Sequence, residues 1–120
     1  PAISQHAALG AFDADDELDS HVSRYRVNRD LLVEGLAGMG IERLAPADGA
    51  FYVWADVGDL GIDSQLLCRR WLDETGVAVT PGIDFDPTSG GRFVRFSYSE
   101  STADIAEAVR RLAGWMASHR

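Results

Sequence analysis

The sequence predicts a small α/β domain in which helices are interspersed with about three short strands. Two kinds of pattern predict this class. In the longer segments, apolar residues recur at three- and four-residue steps, which is typical of amphipathic helices. Shorter segments rich in aromatic and β-branched residues are typical of strands. At 120 residues, the chain is long enough for one domain with a modest core.

Two helices are predicted at the start of the chain, the first over Ile3–Phe12 and the second over residues 16–39. An acidic cluster follows the first helix, at Asp13, Asp15, Asp16, Glu17 and Asp19. The segment lacks the mid-loop glycine and the terminal glutamate of a calcium loop, so we interpret it as a turn followed by the acidic first turn of the second helix. The second helix ends at the Gly38–Gly40 stretch. Arg29 interrupts an apolar stripe along this helix. The other positions of the stripe are Leu18, Val22, Tyr25, Leu32, Leu36 and Met39.

The middle of the chain alternates between strands and a helix. Ala50–Val57 is aromatic and β-branched and is therefore predicted to be a strand. Asp63 or Ser64 caps a helix that Gly76 ends. Val77–Thr80 is predicted to be a short strand, interrupted by Pro81 and Gly82.

The last third contains a loop, a strand and a helix. Residues 83–91 are rich in turn formers and lead into a strand that begins at Phe93. Ser101–Asp104 has the form of a capping box and opens the final helix. The apolar face of that helix is predicted to consist of Ile105, Ala108, Val109, Leu112 and Met116.

Arg95 is the residue most informative about function. Alternation along the strand places it on one face with Phe93, Ser97 and Ser99. A guanidinium within a short apolar strand is costly unless it meets an anion, and its planar fork suits a carboxylate. A structural ion pair within the chain is the alternative explanation.

Composition excludes several classes of function. A net charge of −8 argues against nucleic acid and anionic membrane surfaces as partners, and no apolar stretch is long enough to cross a membrane. The single cysteine, Cys68, excludes an internal disulfide and fits a cytoplasmic location. No metal site is expected, because His6, His21 and His119 are scattered without ligand spacing.

Four segments occur in an order and spacing that resemble the fold-type I, class I/II pyridoxal-phosphate aminotransferases. The resemblance covers essentially the whole chain. It implies a domain of the α+β type, with a small, mostly antiparallel sheet of about three strands covered by helices. Residues 1–5 look like the segment after the cofactor domain in that family, so residues 1–15 are expected to follow that domain and residues 16–120 to form the C-terminal small domain. The four segments are Arg24–Asp30, Gly49–Trp54, Gly76–Gly82 with Phe85, and Phe93–Tyr98.

The resemblance implies an enzyme that moves an amino group between an amino acid and a 2-oxo acid with pyridoxal phosphate, in amino-acid metabolism or biosynthesis. It implies that Arg95 binds the α-carboxylate of the substrate. Pro81, Gly82 and Phe85 resemble the stretch near the substrate entrance, although a tight turn with a packed phenylalanine explains them equally well. A cytoplasmic homodimer is expected for the full-length protein.

The chain contains no lysine, because all eleven of its basic side chains are arginines. It therefore cannot hold pyridoxal phosphate as a Schiff base, and no catalytic or cofactor-binding residue is expected in it. We expect it to be the C-terminal part of a longer protein and inactive alone. Two alternatives remain. The first is a different function on the same scaffold, either a carbon–sulfur lyase or a regulator. The second is a small-molecule-binding or regulatory module without the large domain.

Overall fold

The computed structural model describes residues 1–119 and contains the seven regular elements in the predicted order. The four helices are α1 (Ala2–Ala11), α2 (Asp15–Gly38), α3 (Ser64–Thr75) and α4 (Thr102–Ser118), and the three strands are β1 (Tyr52–Asp56), β2 (Thr80–Pro81) and β3 (Phe93–Ser97).

The strands form one antiparallel sheet in the order β1-β3-β2. Because β3 is central, each of its residues can have a neighbour on either side. Arg95 lies opposite Trp54 of β1 and opposite Thr80 of β2. The predicted class, a small antiparallel sheet with helices, is therefore confirmed.

The two faces of the sheet differ because side chains alternate along each strand. Val53 and Ala55 of β1 and Val94 and Phe96 of β3 are buried, and they form the core with apolar residues of α2, α3 and α4. The alternate residues point to the other side, which we call the outer face. It carries Tyr52, Trp54, Thr80, Phe93, Arg95 and Ser97, all half-buried or exposed.

The predicted helix boundaries have clear physical causes. The Asp63 carboxylate accepts a hydrogen bond of 2.9 Å from the Gln65 amide at the start of α3. Gly76 ends α3 with a φ of 73°, in the left-handed region that favours glycine. The Ser101 hydroxyl accepts from the Asp104 amide at the start of α4, so the predicted cap is confirmed.

The bounds of the predicted strand Val77–Thr80 are wrong, because β2 comprises only Thr80 and Pro81. The Val77 amide donates to the Thr75 hydroxyl directly after α3, and Val77 and Val79 pack against the core. Pro81 is accommodated because β2 is an edge strand, where a missing amide hydrogen is tolerated.

Two predicted helix faces also need correction. In α2 the stripe is buried only at its C-terminal end, since Leu18 and Val22 are about half exposed, and the buried polar residue is Asn28 and not Arg29. In α4 the buried face includes Trp115, while Ala108 and Val109 are only partly buried.

The N-terminal helix α1 contributes no buried residue, and its Ile3 and Leu9 side chains are exposed. The boundary expected near residue 15 stays a prediction. Within residues 1–119, no helix is both long enough and apolar enough to span a bilayer.

Candidate functional site

Arg95 lies at the centre of the outer face, in the middle of the central strand. Its side chain is half-buried, whereas the neighbouring Val94 and Phe96 point into the core. The backbone of Arg95 is therefore fixed by strand pairing on both sides. This placement agrees with the alternation expected from the sequence.

The guanidinium of Arg95 forms no ion pair with any residue described in the structure. Its Nη2 donates only a long hydrogen bond of 3.4 Å to the Thr80 hydroxyl. Its Nε is buried and has no hydrogen-bond partner among residues 1–119. A structural ion pair within this part of the chain therefore does not explain Arg95. Because buried donors are normally satisfied, the group is suited to an external acceptor.

Arg92, three residues before Arg95, does have a carboxylate partner. Its Nη2 donates to the Asp56 carboxylate at 2.7 Å and its Nε donates to the same group at 3.2 Å. Arg43 also donates to Asp56, at 3.1 Å. Burial alone would raise the pKa of Asp56. Hydrogen bonds from Arg92, the Gly58 amide and Arg43 outweigh that effect and lower this pKa to about 2. Asp56 is therefore an ionised partner of these two arginines.

Aromatic rings line the outer face around Arg95. The centre of the Phe85 ring is 4.4 Å from Cζ of Arg95, and that of Tyr52 is 5.1 Å away. Trp54 stacks on Phe93 with 5.4 Å between the ring centres and meets the edge of Phe85 at 5.9 Å. These rings reduce the access of water to the guanidinium, which strengthens its interaction with an anion.

In the segment from Pro81 to Phe85, Pro81 pairs with Val94 in the sheet, and the ring of Phe85 contacts the Arg95 guanidinium. Gly82 is buried, and a Cβ built there would lie 2.6 Å from the Gly90 carbonyl oxygen. The turn is therefore tight, and it carries Phe85 to the guanidinium. The role of Pro81, Gly82 and Phe85 at a substrate entrance stays a prediction.

Sequence reasoning missed the other neighbours of Arg95, namely Tyr52, Trp54 and Thr80. Each is visible only once the strand register is known, because a shift of one residue reverses the face of every side chain. Tyr52 and Trp54 are at alternate positions in β1, which could have indicated a shared face. Nothing in the sequence alone pairs that face with Arg95.

Other reactive groups lie away from Arg95. Cys68 is in the core, and burial raises the pKa of its thiol to about 12, so it stays protonated and unreactive at neutral pH. In the described part of the chain, no three His, Cys, Asp or Glu side chains are grouped to hold a metal ion. A groove between residues 77–79 and α4 is lined by Phe96 and Leu112, and Arg95 is not among its lining residues.

Comparison with known proteins gives consistent results. Residues 1–112 match the family model described as aminotransferase class I and II. The chain is 51% identical over 120 residues to valine–pyruvate aminotransferase of Mycobacterium tuberculosis, covering 98% of this chain and 31% of that enzyme. It is 42% identical over 115 residues to aspartate/prephenate aminotransferase of Thermus thermophilus, covering 92% and 29% of the two chains.

Solved structures resemble the fold as well. An aminotransferase from Mycobacterium tuberculosis superposes with a TM-score of 0.94 at 51% identity, over 98% of this chain and 31% of that chain. An aromatic aminotransferase from Pyrococcus horikoshii gives a TM-score of 0.80 at 27% identity, over 88% of this chain and 28% of that chain. The chain thus spans about a third of the length of these relatives.

Proposed function

Because the chain belongs to the class I and II aminotransferase family, we propose that it serves as the small C-terminal domain of an enzyme that transfers an amino group between an amino acid and a 2-oxo acid. The observation that carries the proposal is the half-buried guanidinium of Arg95, which has no carboxylate partner among residues 1–119.

We assign to Arg95 the recognition of the substrate α-carboxylate. Both substrates of such a reaction carry a carboxylate on the carbon next to the reacting nitrogen or oxygen. A guanidinium binds that group with two parallel N–H donors, which fixes its orientation as well as its position. The reacting carbon is then held at a set distance from Arg95, and this lowers the entropic part of the barrier. Arg95 itself moves no proton in this scheme.

The residues of this chain do not fit pyridoxal phosphate, on which the family generally depends. None of the 120 residues is a lysine, so the chain has no amine side chain for the Schiff base. Arg92, the cation directly before β3, is already paired with Asp56. When bound, the cofactor supplies the electron sink of the reaction. We propose that the remainder of the protein holds it.

We further propose that residues 1–15 connect this domain to the cofactor-binding part, and that the full-length protein is a cytoplasmic homodimer. Supporting the first proposal, α1 buries none of its own residues and exposes Ile3 and Leu9. A helix that packs none of its side chains into this domain leaves them available to contact the cofactor-binding part.

The proposal is tested by incubating the longer protein with cofactor, single amino acids and 2-oxo acids, and following both products by mass spectrometry. An aminotransferase converts both partners in equal amounts. A carbon–sulfur lyase would instead release a 2-oxo acid without consuming an acceptor, and a binding or regulatory module would turn over neither substrate. Either result would contradict the proposed function.

A further inference from the structure

The position of Phe85 is unusual for a phenylalanine, because the residue is 52% exposed although its ring contacts a half-buried arginine. The turn before it explains how the ring is held. Both the Phe85 and Asp86 amides donate to the Gly82 carbonyl, at 2.9 and 3.0 Å. Gly82 is in turn fixed against Gly90, since a Cβ there would collide with the Gly90 carbonyl. The backbone therefore presents an exposed ring at a fixed place.

The contact of this ring with Arg95 is of the cation–π type. Cζ of Arg95 lies 4.4 Å from the centre of the Phe85 ring and 5.1 Å from that of Tyr52, both well inside the roughly 6 Å at which such attraction is effective. We call Phe85 and Tyr52 the aromatic pair. Its two rings attract the guanidinium through their faces, and a phenyl ring accepts none of the in-plane hydrogen bonds.

This mode of support differs from the one used for Arg92. The Asp56 carboxylate holds Arg92 but occupies its fork, with bonds to both Nε and Nη2. The aromatic pair holds Arg95 while the Nε of Arg95 keeps no partner in residues 1–119. A guanidinium that is held in place with free donors loses less conformational entropy when it binds an anion.

We propose that Phe85 is a positioning residue for Arg95: its ring holds the guanidinium in the orientation that binds the substrate carboxylate, without using the hydrogen-bond donors. The inference rests on the proposed function of Arg95. Tyr52 supports the same group from the neighbouring strand β1. Burial of Phe85 contributes little, because half of the ring is exposed to solvent.

The test compares Phe85→Leu and Phe85→Tyr in the longer protein that carries this domain. Leucine keeps an apolar side chain but lacks the aromatic face, whereas tyrosine retains it. The readouts are kcat, KM, and the inhibition constant of butyrate, a monocarboxylate that cannot react. Phe12→Leu makes the same change at an exposed position directly after α1 and serves as control. Tyr52→Leu is the second variant, should Phe85→Leu fail to fold.

Phe85→Leu should raise KM and the butyrate inhibition constant together, by about fivefold within a range of roughly twofold to thirtyfold, and leave kcat nearly unchanged. Phe85→Tyr should stay close to wild type. A Phe85→Leu change of twofold or less would overturn the proposal, and so would equal losses in the leucine and tyrosine variants. If neither Phe85→Leu nor Arg95→Ala weakened substrate binding, the proposed function of Arg95 would be wrong. If Arg95→Ala weakened binding and Phe85→Leu did not, only the role of Phe85 would be rejected.

Discussion

The Thr102 hydroxyl donates a hydrogen bond of 2.7 Å to the side-chain oxygen of Asn28, 74 residues earlier in the chain. The amide nitrogen of Asn28 donates to the carbonyl oxygens of Tyr98 and Glu100, at 3.0 and 2.8 Å. Asn28 is fully buried in the middle of α2. It therefore connects α2 to the segment that joins the Arg95 strand to α4.

Replacing Asn28 with alanine should lower the free energy of unfolding by about 2–3 kcal/mol, because it leaves buried carbonyl groups without a donor. Asn28→Asp keeps the size but turns an oxygen toward those carbonyls, and it should cost at least as much at neutral pH. Urea denaturation of the two variants measures both effects. Ser20→Ala, on the exposed side of α2, is the control and should change stability by less than about 0.5 kcal/mol. A loss below 0.5 kcal/mol in both Asn28 variants would show that the network contributes little.

Asn28 also illustrates what sequence patterns can and cannot predict. The 3.6-residue period correctly placed Leu32 and Leu36 in the core. It put Arg29 on the same face, because a polar residue within a stripe gives no sign of whether it is buried. The partners of Asn28 come from residues 98–102, and no local pattern could indicate contacts at that separation. The same limit applied to β2, where the contacts of Val77 with the core outweigh the strand propensity of residues 77–79.

The site was predictable to a similar degree. Alternation along β3 gave the correct face of Arg95, and a tight turn was one of the two interpretations of the segment Pro81–Phe85. The neighbours Tyr52 and Trp54 were missed because they depend on register, which is set by the packing of the whole sheet. Local chemistry therefore identified the charged group, and the tertiary fold determined what surrounds it.

Gly82→Ala should destabilise the domain, because the added Cβ would lie 2.6 Å from the Gly90 carbonyl oxygen and 2.7 Å from that of Phe93. Relief of these contacts requires backbone movement, which we expect to cost about 1–3 kcal/mol. Gly114→Ala is the matched control. It lies inside α4 with nothing within 4 Å of the new Cβ, so it should stabilise the chain by about 0.5–1 kcal/mol. Thermal unfolding of the two variants should shift in opposite directions; equal shifts would contradict the close contact at Gly82.

The Asp56 network predicts a specific dependence of stability on pH. The pKa of Asp56 is about 2 in the folded protein, below its ordinary value of 3.8. The ionised carboxylate therefore stabilises the fold above about pH 4. This contribution is lost as the pH falls through the folded-state value near 2. Asp56→Asn should therefore be less stable than wild type at pH 6, by at most about 2 kcal/mol, and the difference should shrink toward pH 2.

Unfolding free energies of wild type and Asp56→Asn between pH 6 and 2 test this expectation. The comparison of variant with wild type is needed because hydrogen bonds from Arg110 and Arg111 also lower the pKa of Glu107 to about 2. Asp13→Asn, in the exposed turn before α2, controls for the loss of one negative charge. A stability difference that stays constant over this range would mean that Asp56 does not titrate as described.

The chain by itself should form no Schiff base with pyridoxal phosphate on any side chain, because it contains no lysine. The terminal amine of Pro1 is the one amine left to react. Borohydride reduction followed by peptide mass spectrometry locates any adduct. A stoichiometric adduct on an internal residue would contradict the assignment of cofactor binding to the remainder of the protein.

The central claim is that Arg95 binds the substrate carboxylate, and steady-state kinetics of Arg95→Ala in the longer protein test it most directly. Loss of a desolvated, charge-assisted pair costs about 2–5 kcal/mol, so kcat/KM should fall roughly thirtyfold or more for every amino-acid and oxo-acid substrate alike. Arg95→Lys should recover only part of this loss, since lysine restores the charge without the planar fork. The absorption spectrum of the bound cofactor should be unchanged. A kcat/KM of Arg95→Ala within about twofold of wild type would contradict the claim and show that Arg95 has no part in substrate binding.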